Sequence, residues 1–169
     1  MKILEYHYFN TVETDLILTD HINSSFILPK FKKIIVSTGG ENSTENYVMS
    51  SLFILDFISK QKPTITCSKK DNLVVGGKVT LRKSKMFLFL FTLLFEILPN
   101  IKSFEGFNPP CNKDTFMFTI KDIILLKGLS VLVPLIDNSS CFIKIQLFTT
   151  AKDRDQLFKL GRLSLVCFL

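Results

Sequence analysis

The sequence predicts an α+β fold of two layers, in which a largely antiparallel sheet is backed by helices on one face while its other face stays open. Stretches with period-two alternation intermix with stretches of helical periodicity along the chain. The chain has 169 residues, 47% of them hydrophobic, which suits a single domain with a buried core. We expect that domain to have an N-terminal helix at about 4–20, a sheet-and-helix body at about 31–162 and a short C-terminal tail.

Apolar spacing and turn residues place the individual elements. Ser43 or Thr44 is suited to cap a helix that Pro63 stops, and the Gly76–Gly77 pair predicts a bulge in a strand. The predicted strands are residues 31–38, 64–68, 74–82, 115–121 and 141–150, with an excursion or long hairpin between the last two. The predicted helices after the first are residues 41–61, 86–98 and 151–162.

The most apolar stretch, residues 86–98, is expected to be a core helix. It carries Glu96 and ends before Pro99, and a membrane-spanning helix needs about 20 apolar residues. A protein attached to a membrane through this helix is the weaker alternative, so we expect no membrane partner.

Positive charge is concentrated in one part of the chain. Residues 60–85 hold eight Lys or Arg and a single acid, Asp71, whereas the whole chain has a net charge of +6. Because the entire excess lies in one segment, it favours a polyanionic partner over an ordinary solvated surface.

The strands in and after this segment have one apolar and one polar face, since side chains alternate along a strand. Ile65 and Cys67 share a face that we expect to point into the core. Thr64, Thr66 and Ser68 share the opposite face, as do Lys78, Thr80 and Arg82 in the next strand and Phe142, Lys144, Gln146 and Phe148 in the last. Hydroxyls, amides and bases bind the sugars and phosphates of RNA, so together with the charge this face predicts RNA binding. A half-solvated antiparallel sheet without a ligand is the alternative.

Signatures of catalysis and of metal binding are absent from the sequence. His7 and His21 are the only histidines, and neither has an evident ligand partner. No phosphate-binding loop or nucleophile elbow occurs, so we expect neither an enzyme nor a cofactor. The four cysteines lack the paired spacing of zinc ligands and are expected to be small buried side chains.

Four motifs in one order resemble a known family. They read SKQKPTIT (59–66), GGKVTLR (76–82), LPNIKSFEGFN (98–108) and FTTAKDRDQ (148–156). They are similar to the patterns G-Q-K-P-x-I-T, G-x-K-V-T-L-R, P-R-I-R-D-F-R-G-L and T-T-A-K-x-D-x-E of the bacterial-type large-subunit ribosomal protein L five. The resemblance spans roughly residues 6–162.

The resemblance implies an α+β protein of the central protuberance of the large ribosomal subunit. Its implied partners are 5S ribosomal RNA, large-subunit ribosomal RNA, neighbouring proteins of the protuberance, the P-site tRNA and a small-subunit bridge protein. The family's RNA-contacting Gln and Thr correspond to Gln61 and Thr80, and its first-strand Asn falls on Ser37. With the polar face and the charged segment, the expected RNA-binding residues are Ser37, Gln61, Lys62, Thr64, Thr66, Lys69, Lys70, Lys78, Thr80, Arg82, Lys83 and Lys85.

Departures from the family pattern indicate an organellar ribosome. Residues 69–73 replace a longer basic loop that reaches tRNA in the family, so we expect that contact to be weakened or lost. Glu105 stands where the family carries a base. The chain has many Phe, Ile, Lys and Asn, whose codons are A/T-rich, and a single Ala. We therefore expect a mitochondrial ribosome in the matrix, with a plastid as the alternative location and a free-standing organellar RNA-processing protein as the alternative function.

Overall fold

A computed structural model describes residues 3–20, 27–39, 45–68, 73–101, 112–120, 142–164 and 166. They divide into two compact units. The first unit draws on residues 1–34, 82–117 and 147–169, and the second on residues 35–81 and 118–146.

The secondary structure is a five-stranded antiparallel sheet with helices, which confirms the predicted α+β class. The strands are β1 (Phe31–Gly39), β2 (Thr64–Cys67), β3 (Val74–Leu81), β4 (Thr115–Ile120) and β5 (Phe142–Thr149), in the order β2-β3-β1-β5-β4. The helices are α1 (Ile3–His7), α2 (Glu13–Asp20), α3 (Glu45–Ser59), α4 (Lys83–Thr92) and α5 (Arg154–Leu163). A π-helical turn, Tyr8–Val12, joins α1 to α2, and the chain after α4 continues through a π turn, Leu93–Ile97, and a 3-10 turn, Leu98–Asn100.

The bounds of these elements follow the sequence closely. α4 begins three residues earlier than predicted, at Lys83, which directly follows the extended Arg82 (φ −142°, ψ 160°). Within the described residues, no helix has both the length and the apolar character needed to cross a membrane. The predicted caps Ser43 and Thr44 and the predicted excursion between β4 and β5 lie outside the described residues.

The core of the first unit is built around a stripe along the N-terminal helical segment. Leu4, Tyr8, Val12 and Leu16 recur every four residues, so they lie on one side of the helix, and all four are buried. The Tyr8 ring lies 5.3 Å from the Phe87 ring of α4, and its hydroxyl donates a hydrogen bond to the Pro29 carbonyl (3.3 Å). Burial, aided by the Glu13 carboxylate, raises the pKa of Tyr8 far above its usual value of 10.0.

In the second unit, α3 lies on the face of β3 formed by Gly77, Val79 and Leu81. All three are buried, whereas Lys78 between them is exposed. A methyl group on Gly77 would come within 2.7 Å of Leu52 Cδ2 and 2.9 Å of Leu55 Cδ1, so the missing side chain lets the helix approach the strand. This close approach fixes which face of β3 is covered.

The Gly pair also adjoins the irregularity predicted for this strand. Thr66 pairs with Gly76 and Cys67 with Val74, so one residue of β3 has no counterpart in β2. A methyl group on Gly76 would lie 2.6 Å from the backbone oxygen of Thr38 in β1. The strand is therefore irregular as predicted, but at Val75, next to the Gly pair, and the pair itself serves close packing on two sides.

The predicted burial of the apolar face of β2 is wrong, although Ile65 pairs with Gly77 and so lies on the side of the strands that faces α3. Ile65 is 56% exposed and Cys67 is exposed, so these side chains do not enter the core. β2 has four residues and lies at the edge of the sheet, paired only with β3, and such a strand lacks enough covering structure to bury either face. The expectation that Cys67 is a buried cysteine fails for the same reason, and the other three cysteines lie outside the described residues.

Substituting the two adjacent glycines should separate close backbone packing from close side-chain packing. We expect Gly76→Ala to lower the free energy of unfolding by about 2–3 kcal/mol, because a backbone oxygen cannot move aside without displacing β1. Gly77→Ala should cost less than about 1 kcal/mol, because leucine side chains can change rotamer. Urea denaturation of both variants tests this, and equal losses or the reverse order would contradict it.

Tyr8 should make the stability fall in alkali. Below about pH 10 its phenol is protonated in both the folded and the unfolded chain; above that, the unfolded chain ionises first. We expect the free energy of unfolding to fall by up to about 1.4 kcal/mol for each pH unit above pH 10 because of this residue. The difference in unfolding free energy between the wild type and Tyr8→Phe, followed from pH 9 upwards, isolates this contribution; a difference independent of pH would rule it out.

Candidate nucleic-acid interface

The structure describes ten of the twelve expected RNA-binding residues; Lys69 and Lys70 lie outside the described residues. The two units divide the ten between them. The second unit contains Ser37, Gln61, Lys62, Thr64, Thr66, Lys78 and Thr80, and the first contains Arg82, Lys83 and Lys85.

The expected basic side chains are open to solvent in both units. Lys62 and Lys78 are exposed in the second unit, and Arg82, Lys83 and Lys85 are exposed at the start of α4 in the first. Among the described residues, the two ion pairs join other lysines to acids, Lys30 to Glu13 and Lys159 to Asp20. The five expected bases therefore have no described carboxylate partner, and their charge is available to an anion.

The hydroxyls of the expected site differ in how far the fold itself uses them. Thr64 Oγ1 donates a hydrogen bond to the Lys78 carbonyl (3.0 Å), which ties β2 to β3. Ser37 is half-buried and its hydroxyl donates to the Lys144 carbonyl (3.4 Å) of β5. The half-buried hydroxyls of Thr66 and Thr80 make no side-chain hydrogen bond within the described residues. Thr66 and Thr80 are thus the hydroxyls best placed to accept an outside partner.

The loop between α3 and β2 holds Gln61 and Lys62 in place. Lys60 ends the helix in a left-handed conformation (φ 51°), and its N–H donates to the Asp56 carbonyl (2.8 Å). Ser59 Oγ donates to the carbonyls of Leu55 (2.6 Å) and Gln61 (3.0 Å). This bonding positions half-buried Gln61 directly before β2, in the second unit with Thr80.

Two lysines of the basic segment occupy backbone conformations that favour glycine. Lys60 has φ 51° and Lys83 has φ 53°, and a left-handed conformation costs a side-chain-bearing residue roughly 1–2 kcal/mol. Lys60 stands where the family pattern G-Q-K-P begins with Gly. Both positions therefore carry a charged side chain at some cost to stability.

Two basic residues relevant to the site were missing from the expected set. Lys60 is exposed in the second unit, and its position inside the basic segment is the signal that could have identified it. In the first unit, Lys33 Nζ of β1 lies 4.6 Å from the centre of the Phe148 ring of β5, on the strand faces opposite the buried ones. The sequence showed that Phe148 lies on the face of its strand opposite the apolar residues. It could not show that Lys33 contacts the Phe148 ring, because that contact depends on which strands are neighbours.

The described part of the chain shows no alternative chemical centre. It contains no cluster of three or more His, Cys, Asp or Glu that could bind a metal ion. The His7 ring is used locally, with Nδ1 2.8 Å from Thr11 Oγ1 and Nε2 3.4 Å from the Leu163 carbonyl. His21 lies outside the described residues.

Comparison with known proteins gives a consistent set of relatives. No family model matches the chain. The large ribosomal subunit protein uL5 of Campylobacter hominis is 34% identical over 116 residues, covering 63% of this chain and 64% of that protein. The large ribosomal subunit protein uL5c of Euglena gracilis is 33% identical over 121 residues, covering 66% of this chain and 68% of that protein. The uL5 protein of Helicobacter pylori is 34% identical over 113 residues, so this chain spans 62% of its length.

Two substitutions of Lys60 should distinguish the effect of its backbone conformation on stability from the effect of its charge. We expect Lys60→Gly to raise the free energy of unfolding by about 1 kcal/mol, because glycine adopts φ 51° without steric cost. Lys60→Gln, which removes the charge but keeps the side chain, is the matched control and should leave the stability within about 0.5 kcal/mol of the wild type. Thermal denaturation of both variants decides the point; no gain from Lys60→Gly would refute the assigned conformation.

Proposed function

The chain belongs to the uL5 family of large-subunit ribosomal proteins, and we propose that it is a structural constituent of the large ribosomal subunit that binds ribosomal RNA. The relatives carry the names of ribosomal subunit proteins, which agrees with the expectation that the chain is not an enzyme. The chain covers about two thirds of each relative, so its partners are proposed from its own residues as well as from theirs.

One observation in the structure supports RNA binding most directly. The second unit has a covered face, where α3 lies on β3, and an outward face that carries Lys78 and Thr80. Lys78 is exposed and has no described acidic partner, and the Thr80 hydroxyl has no intramolecular acceptor among the described residues. A base beside a free hydroxyl suits the phosphate and 2′-hydroxyl groups of folded RNA.

We further propose that the protein belongs to the central protuberance of a mitochondrial ribosome, where it would bind 5S ribosomal RNA or the RNA that replaces it. The frequent use of residues with A/T-rich codons supports an organelle, and similarity to the large ribosomal subunit protein uL5c of Euglena gracilis is compatible with the alternative of a plastid. Gln61 and Thr80 match the Gln and Thr of the family motifs, and this match supports 5S ribosomal RNA as the ligand. Ser37, already bonded to the Lys144 carbonyl, replaces the family's Asn and supports a reduced contact at that position.

A contact with P-site tRNA is also proposed in a weakened form, and a contact with a small-subunit bridge protein is proposed as the family resemblance implies it. The segment 69–73 is shorter than the family's basic loop, and Glu105 replaces a base in the next motif. Loss of positive charge from both segments supports weaker contacts with nucleic acid there.

Sedimentation tests membership of the subunit. Organelle lysates are resolved on sucrose gradients in high salt, and the chain is followed with an antibody or a tag. We expect comigration with the large subunit. Recovery in light fractions alone would contradict the proposal and would support a free-standing RNA-processing protein instead.

The salt dependence of RNA binding tests the site itself. We expect Lys78→Gln to lower the slope of log K against log salt by roughly 0.7–0.9, the value for one lost phosphate contact, and Arg82→Gln to act likewise. Filter binding of the full chain to an in vitro transcript of the organelle's ribosomal RNA, from 50 to 300 mM KCl, measures it. Lys152→Gln, which removes an exposed lysine outside the basic segment, is the control and should leave the slope unchanged. Equal slopes for the wild type and Lys78→Gln would show that Lys78 does not meet phosphate.

A further inference from the structure

The outward side of α3 carries a stripe of three large apolar residues, Met49, Phe53 and Phe57, here called the α3 stripe. Their side chains are 70%, 49% and 42% exposed. Residues four apart along a helix lie on one side, so the three form a continuous row. They all belong to the second unit.

The opposite side of the same helix is already part of the core. Ile54 and Leu55 are fully buried, and Leu55 and Leu52 lie against the backbone of β3 at Gly77. α3 is therefore apolar on both sides, and a helix with this character is normally buried in its working state. With 15 residues it is too short to cross a membrane, which leaves docking against another macromolecule.

The charges around the stripe select the kind of partner. Among the residues from 46 to 60, whose side chains the structure describes, the exposed charged neighbours are one acid, Asp56, and one base, Lys60, which offset each other. Such a surface attracts no polyanion, in contrast to the outward face of β3 with Lys78. Aromatic and Met side chains with a sparse charged rim are typical of the centre of protein–protein interfaces.

We propose that the α3 stripe docks an amphipathic helix of a second protein. Ridges of aliphatic side chains on that helix would fit between Met49, Phe53 and Phe57, with a base opposite Asp56 and an acid opposite Lys60. The second unit then has two distinct working sides: the strand face with Lys78 and Thr80 for RNA, and the helix face for protein. RNA binding by the strand face rests on the proposed function, whereas protein docking on the helix face rests only on the exposed stripe and its charges.

Site-specific cross-linking identifies the occupant. The photoreactive amino acid p-benzoylphenylalanine replaces Phe53 in the full chain, the organelles are irradiated, and the cross-link is mapped by mass spectrometry in the gradient fraction that contains the chain. We expect a cross-link to a helical segment of a different protein with an apolar row and flanking charges of both signs. A cross-link confined to RNA, to a second copy or to the chain itself, or none at all, would overturn the proposal. Comigration with the large subunit is scored separately and bears only on the proposed function.

Matched serine substitutions measure the contribution of the stripe. Phe53 (49% exposed) and Phe95 (51% exposed) are equally accessible, but Phe95 lies in the other unit and outside the stripe. We expect Phe53→Ser to weaken retention of the chain in its salt-washed complex by about tenfold, as for a central interface residue, and Phe95→Ser to leave it within about twofold. RNA affinity of both variants should stay within about twofold of the wild type. Equal retention of the two variants would overturn the proposal; if Phe53→Ser lowers the melting temperature, the cross-link at position 53 decides.

Discussion

The close approach of α3 to the backbone of β3 is the constraint on which the proposed site depends. The absence of a side chain at position 77 leaves room for Leu52 and Leu55 to lie directly on the strand. Once the helix occupies that side, strand alternation directs Lys78 outward. The strand therefore offers its charged face to a partner because its apolar face is already occupied by the protein itself.

The same close approach gives the second unit two chemically different surfaces. α3 covers β3 with one side and leaves the α3 stripe on the other, while β3 leaves a base and a hydroxyl on its outward face. Apolar surface and basic surface are thus separated by the thickness of one helix and one strand. This separation suits a component of a large ribonucleoprotein particle, where a small protein contacts RNA and protein at once.

Much of this arrangement could be predicted from the sequence, because it depends on local patterns. The alternation in residues 74–82 identified the exposed Lys78 and the buried Val79 and Leu81, and the Gly76–Gly77 pair identified the irregular register. These features depend only on side-chain period and on backbone freedom, both of which are visible one strand at a time. The order of the motifs gave the family, which the relatives then confirmed.

What could not be predicted depends on which elements become neighbours. Ile65 and Cys67 follow the pattern of a half-buried strand, yet β2 is at the edge of the sheet and both side chains are exposed. The hydrogen bonds of Ser37 to Lys144 and of Thr64 to Lys78 depend on strand order and register, so the sequence could not show that these hydroxyls are used within the fold. The left-handed conformation of Lys83 was equally hidden, since lysine gives no local signal for positive φ, whereas the Gly of the family pattern at the position of Lys60 was such a signal.

We propose that the strand face bearing Lys78 and Thr80 rests on RNA in the assembled particle. A cryo-electron microscopy map of the intact large subunit from the source organism decides whether it does. We expect an RNA backbone in contact with the Lys78 ammonium group and the Thr80 hydroxyl. Solvent at this face, or a protein surface covering it, would show that the face does not bind RNA.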